Sequence, residues 1–184
     1  MKNIIYNYLK IILLFGSIFT IVVSCEDPLW ERDLSEDAEF ATFSPAAEVF
    51  IDGFSGGLSY DPFGDSKLDA FSVDDEVKYS GTASMRFDVP SFGDPSGAYA
   101  GATFRDAIGR DLTEYDALTF WVKASQAATL NEVGFGNDFE ENKYVVTLSN
   151  VPLSTNWRKI IIPIPDPSKL FQERGMFWYC LLYT

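Results

Sequence analysis

Two hydrophobic patterns divide the chain. From Ile11 to Ser24 the side chains are almost all apolar and do not alternate, and Lys2 and Lys10 are the only charges up to that point. From Glu48 onward, apolar and polar positions alternate, as they do on half-buried β-strands. Ala83, Met85, Phe87 and Val89 alternate with Ser84, Arg86 and Asp88; Leu118, Phe120 and Val122 alternate with Thr119, Trp121 and Lys123. Tyr144, Val146 and Leu148 alternate with Val145, Thr147 and Ser149. Trp157, Lys159 and Ile161 alternate with Arg158, Ile160 and Ile162, a strand apolar on both faces near its end, and Trp157 reads as a core residue leading it. Pro163 and Pro165 then limit this strand to an edge or an exit. Turn signals separate the runs at Asp52-Gly53, Gly56-Gly57, Ser80-Gly81, Pro95-Ser96-Gly97 and Asp166-Pro167, with longer loops expected over 55–69 and 92–97. Hardly any segment has helical periodicity, so the expected class is all-β, a sandwich or barrel. The 16 Phe, 9 Tyr and 4 Trp suit a core between two sheet faces.

The apolar run ends at Val22-Val23-Ser24-Cys25 and is shorter than the about 20 residues that span a bilayer. It reads as a secretory signal peptide over 1–24, the other reading being an uncleaved anchor helix. Residues 25–46 are acidic and without periodicity, a tether to a domain over 47–184. Residues 1–24 contain two lysines and no acid, so their removal turns 14 bases against 27 acids into 12 against 27, and a net charge of −13 into −15. Such a charge argues against nucleic acid, anionic lipid and polyanionic glycans as partners, except where a local basic patch overrides the field. With Cys25 lipidated, only Cys180 remains, and no internal disulfide can form. The absence of histidine excludes Ser-His-Asp and Cys-His catalysis and His-ligated zinc; a metal here would be a hard cation such as calcium.

Three resemblances extend this reading. The small residues before Cys25 resemble the lipobox of bacterial lipoproteins, and Glu26-Asp27 resembles the export signal of Bacteroidetes lipoproteins, which implies a lipid anchor on the outer membrane, exposed at the cell surface. Tyr79-Ser80-Gly81-Thr82-Ala83-Ser84-Met85-Arg86-Phe87, Asp111-Leu112-Thr113-Glu114-Tyr115-Asp116-Ala117-Leu118-Thr119-Phe120-Trp121-Val122-Lys123 and Asn156-Trp157-Arg158-Lys159 with Ile160-Ile161-Ile162-Pro163 resemble, in order and spacing, strands of galactose-binding-like jelly rolls, among them carbohydrate-binding modules. The resemblance covers roughly residues 48–179. Relatives of this kind finish with a strand carrying an aromatic and paired aspartates. Gly175-Met176-Phe177-Trp178-Tyr179 begins such a strand, but Cys180-Leu181-Leu182-Tyr183-Thr184 has no acid, so a last strand is expected to be missing. The resemblance also implies a structural calcium site at Asp52, with carbonyls from the loop near Lys78–Gly81 and its partner aspartate absent.

Sugar binding needs flat aromatic faces and polar side chains that reach hydroxyls. Trp121 and Trp178 alternate away from core positions, Phe135, Asn137 and Asp138 lie in a Gly-rich strand end, and Arg105 adds a donor. Packing accounts for Trp121 as well as stacking does, Trp178 could line an exposed edge, and Asn137 and Asp138 also suit a turn. No pair of carboxylates stands out for hydrolysis, so intrinsic catalysis is not expected. The expected function is therefore non-catalytic binding of a neutral polysaccharide or oligosaccharide at the cell surface. The alternatives are a structural or adhesion domain contacting envelope proteins, or a fragment of a longer surface protein or glycoside hydrolase.

Overall fold

A computed structural model describes residues 44–139 and 144–183. Thr42–Thr184 forms one compact unit. The segment assigned to the signal peptide, Cys25 and most of the tether lie outside the described residues.

The described residues form nine strands, in order β1 (Leu58–Pro62), β2 (Phe71–Asp74), β3 (Ser84–Phe87), β4 (Ala100–Arg110), β5 (Ala117–Val122), β6 (Ala128–Phe135), β7 (Val146–Leu153), β8 (Arg158–Pro163) and β9 (Glu173–Leu181). Five form one antiparallel sheet in the order β1-β4-β9-β6-β7, while β2–β3 and β5–β8 form two-stranded sheets. Phe71, Phe87 and Phe120 of the smaller sheets pack on Phe104, Tyr179 and Phe177 of the large one, so the architecture is an all-β sandwich with its core between the layers.

The alternation explains most of this. Met85, Phe87, Leu118, Phe120 and Val122 all pack on the core. Phe104 is fully buried among Phe54, Tyr60, Phe71, Phe87 and Phe177, a burial that contributes about 2–3 kcal/mol. Tyr60 and Tyr179 carry hydroxyls into this apolar space and bond each other at 3.1 Å. Burial pushes both phenols above their ordinary value.

Four expectations need correction. The loop expected over 55–69 contains β1, whose Leu58 and Tyr60 face the core and whose Ser59 and Asp61 face outward. Trp157 is not a core residue: Ile160 and Ile162 set the inward register of β8, leaving Trp157, Lys159 and Ile161 on the outer side. Alternation in β7 resets at Asn150, whose φ of 55° lets Val146 before it and Val151 and Leu153 after it all turn inward. The Gly175–Tyr179 run lies in β9, which is interior to its sheet, between β4 and β6; the edges of that sheet are β1 and β7.

Candidate functional site

The outward residues of the five-stranded sheet form cross-strand rows. The central row reads Asp61, Thr103, Trp178, Gly134 and Thr147, one residue from each strand. Trp178 sits in the middle because β9 does. Its indole extends over Gly134, where a Cβ would lie 3.0 Å from Nε1. Among the described residues, that buried N–H has no hydrogen-bond acceptor, a deficit that buried indoles usually avoid.

A loop closes over one end of the row. Gly136, at φ +87°, turns the chain out of β6, and its N–H donates to the Gly175 carbonyl at 2.6 Å. Thr103 Oγ1 donates to the Asn137 carbonyl at 2.6 Å. Only glycine fits at 175, because a Cβ there would meet the Asn137 backbone at 2.6 Å. The loop then places Asp138 beside Arg174, at 3.9 Å, and turns Phe139 outward at φ +67°. Phe139 is 49% exposed; it meets the Phe63 ring edge-on at 5.2 Å, and the Arg105 guanidinium lies 5.8 Å from its centroid. Phe63 in turn packs edge-on to Trp178. Arg105 also pairs with Asp61, at 3.6 Å. The face thus combines an exposed ring, a buried indole and two arginines, each paired with an aspartate.

Of the residues singled out from sequence, Arg105, Asn137, Asp138 and Trp178 come together here. Asn137 contributes its backbone to the scaffold. Phe135 does not join them: it is 4% exposed and points into the core, because the outward positions on either side of it are Gly134 and Gly136. Trp121 lies on the other layer, stacked on Tyr79 with centroids 3.8 Å apart and planes 13° apart. Sequence reasoning missed Phe63, Asp61, Arg174 and Phe139. The Gly-rich strand end around Phe135, Asn137 and Asp138 points to the loop, but alternation says nothing about which residues of a turn point outward.

A family model, Carbohydrate binding domain 30, matches residues 49–174, from the segment ahead of β1 into β9. The chain belongs to this family. It therefore contains a carbohydrate-binding module, a binding rather than a catalytic unit, and its partner is a saccharide. No curated protein and no solved structure matches the chain.

At Asp52, the position expected for calcium in this carbohydrate-binding module, one carboxylate oxygen is engaged by backbone amides. Asp52 Oδ1 accepts the backbone N–H groups of Thr82 at 2.7 Å and Ala83 at 3.1 Å, and these amides hold its carboxyl below the usual range. Gly81, at φ +70°, lies so close that a Cβ would meet Oδ1 at 2.2 Å. Two amides thus compete with any cation for Asp52 Oδ1, since calcium takes oxygen ligands. Among the described residues, no three acidic or Cys side chains gather as metal ligands. With Asp52 Oδ1 so engaged, thermal melts with excess chelator and with added calcium should coincide; a rise in Tm with calcium would show that the module binds the ion.

Proposed function

We propose that the outer face of the five-stranded sheet binds a neutral glycan without cleaving it. The observation that carries this reading is the row centred on Trp178 with Phe139 standing at its end. The exposed Phe139 ring offers a flat surface for the apolar side of a sugar, and its position beside Arg105 holds it in place. Thr147, Ser149 and Glu132 line the open side of the sheet with groups that bond hydroxyls. The Arg105–Asp61 and Arg174–Asp138 pairs each cancel their own charge, which favours a neutral ligand and leaves oriented donors and acceptors for hydroxyls. In this reading a lipid on Cys25 holds the module at the outer membrane surface and keeps captured polysaccharide near the cell.

The test is affinity electrophoresis of the full chain in non-ionic detergent, in gels containing a neutral glucan, xylan or mannan. At least one should slow the wild type, and Phe139→Ala should weaken that retention by about tenfold, the worth of one stacked ring. Retention unchanged in Phe139→Ala would place the neutral-glycan site elsewhere.

A further inference from the structure

The second layer has an outer face of different character. On β5 and β8 and their ends, the outward positions are Thr119, Trp121, Lys123, Trp157, Lys159 and Ile161. Trp121 and Lys159 are direct cross-strand neighbours. Tyr79 lies flat against Trp121, and Trp157 meets Tyr79 edge-on at 5.9 Å and 65°. Lys123 Nζ is 5.9 Å from the Trp157 ring centre. Tyr79 and Trp121 remain 48% and 41% exposed, so the rings form an open aromatic corner rather than a closed core.

The distribution of positive charge marks this corner. Lys67, Arg86, Arg105, Arg110, Lys169 and Arg174 each have a carboxylate within 4.0 Å. The described bases without such a partner are Lys78, Lys123, Arg158 and Lys159: Lys123 and Lys159 lie on the outer face of the corner and Lys78 adjoins Tyr79, while Arg158, on the other side of β8, donates to the Pro152 carbonyl at 3.1 Å. In a chain of 27 acids and 14 bases, surplus acids should find every accessible base. The outward positions of β5 and β8 themselves include no acid. The nearest acids in sequence precede Lys78: Asp74 is engaged by the amides of Glu76 and Val77 and by Arg86, Asp75 holds the Lys78 ammonium through its carbonyl, and Glu76 is exposed with no carboxylate–base pair within 4.0 Å among the described residues.

From this we propose that the Tyr79–Trp121–Trp157 corner is a second saccharide site, specific for an anionic glycan, whose sugar rings pack on the aromatics and whose carboxylates meet Lys123 and Lys159. It is separate from the neutral-glycan face and uses none of its residues. An acidic polysaccharide fits better than an anionic membrane. A single thin chain meets only the local patch, since charges beyond about 8 Å are screened at physiological salt, whereas a membrane plane confronts the acidic surface of the whole molecule. A uronic-acid polymer supplies both ring faces and regularly spaced carboxylates.

The probe is polygalacturonate, used in the same electrophoresis of the full chain, alongside gels containing a neutral polysaccharide. Polygalacturonate should slow the wild type, and Phe139→Ala equally. Trp121→Ala should weaken retention, and Lys123→Glu combined with Lys159→Glu should weaken it by about tenfold, as should 0.5 M salt. The lysine pair keeps the test valid if Trp121→Ala misfolds, because both side chains lie on the outer face. Absence of retention by polygalacturonate overturns the proposal, whatever the neutral gels show. So does loss of that retention in Phe139→Ala, which would move the anion to the other face. Binding to phosphatidylglycerol vesicles or to single-stranded DNA but not to polygalacturonate overturns it in favour of those partners.

Discussion

Arg110→Leu is expected to cost about 3–5 kcal/mol of folding stability, the usual consequence of removing one member of a buried, hydrogen-bonded ion pair. The Arg110 side chain is 2% exposed. Its Nε donates to Asp106 Oδ2 at 2.9 Å, Nη1 to the carbonyls of Ala46 and Glu48 at 3.0 Å and to Ser55 Oγ at 3.1 Å, and Nη2 to the Gly56 carbonyl at 2.9 Å. One guanidinium at the end of β4 therefore fastens the segment ahead of β1 to the sheet. Leucine roughly preserves the apolar volume, so the loss reports the unpaired acceptors and the stranded Asp106 carboxylate. Arg110→Lys retains the charge but not the planar fork, and should recover only a small part. Domains of this size have about 5–15 kcal/mol in total, so the urea midpoint should fall steeply; a change under about 1 kcal/mol would show that the fastening is dispensable.

The same pair predicts an acid limb. Burial alone would raise the Asp106 carboxyl, but the Arg110 guanidinium and the amides of Gly109 and Ile108 outweigh it and hold the group below its ordinary 3.8. A carboxyl depressed in the folded state contributes stability that is complete above its unfolded value and is lost as pH falls through the folded one. Wild-type stability should therefore decline below about pH 4, and the part of that decline due to Asp106 should be smaller in Arg110→Leu.

Alternation revealed which residues face the core wherever one strand face is buried and the other is wet, as in β3 and β5, and it exposed the all-β class. It failed where that premise fails. Ile160, Ile161 and Ile162 make β8 apolar on both faces, so nothing in the pattern marks the outer one, and Trp157 reads as core although it points outward. β1 was hidden because Leu58-Ser59-Tyr60-Asp61-Pro62 is short and flanked by glycines that read as loop. The site itself was legible only in pieces. Trp178, Arg105, Asn137 and Asp138 were candidates as isolated residues, but what makes them a site is the order β1-β4-β9-β6, and strand order is a long-range property with no local signature. Phe135 went wrong for the opposite reason: its glycine neighbours suggested an open binding loop, whereas Gly134 is an outward position of β6 left bare beneath the Trp178 indole and Gly136 is the turn that ends the strand.

Gly134→Ala is expected to cost about 3 kcal/mol and to abolish retention by neutral glycans. Gly134 is paired with Thr147 on one side and Trp178 on the other. A Cβ at this position would lie 1.9 Å from the Val146 carbonyl oxygen and 3.0 Å from Trp178 Nε1. The first of these is a backbone atom, so relief requires β7 to move away from β6 and break the ladder between them. The second forces the indole to lift off the sheet at the middle of the proposed binding row. Stability and binding thus fall through different contacts of one methyl group, and the loss of binding should persist at temperatures where circular dichroism still reports a folded domain. Gly64→Ala, with open space around its Cβ, is the control and should match the wild type in both measurements. A Gly134→Ala protein with native Tm and native retention would mean that β7 yields without cost and that the position of Trp178 does not govern the site. Native Tm with lost retention would instead assign the whole effect to the indole, and would make Gly134 a residue kept bare for binding rather than for folding.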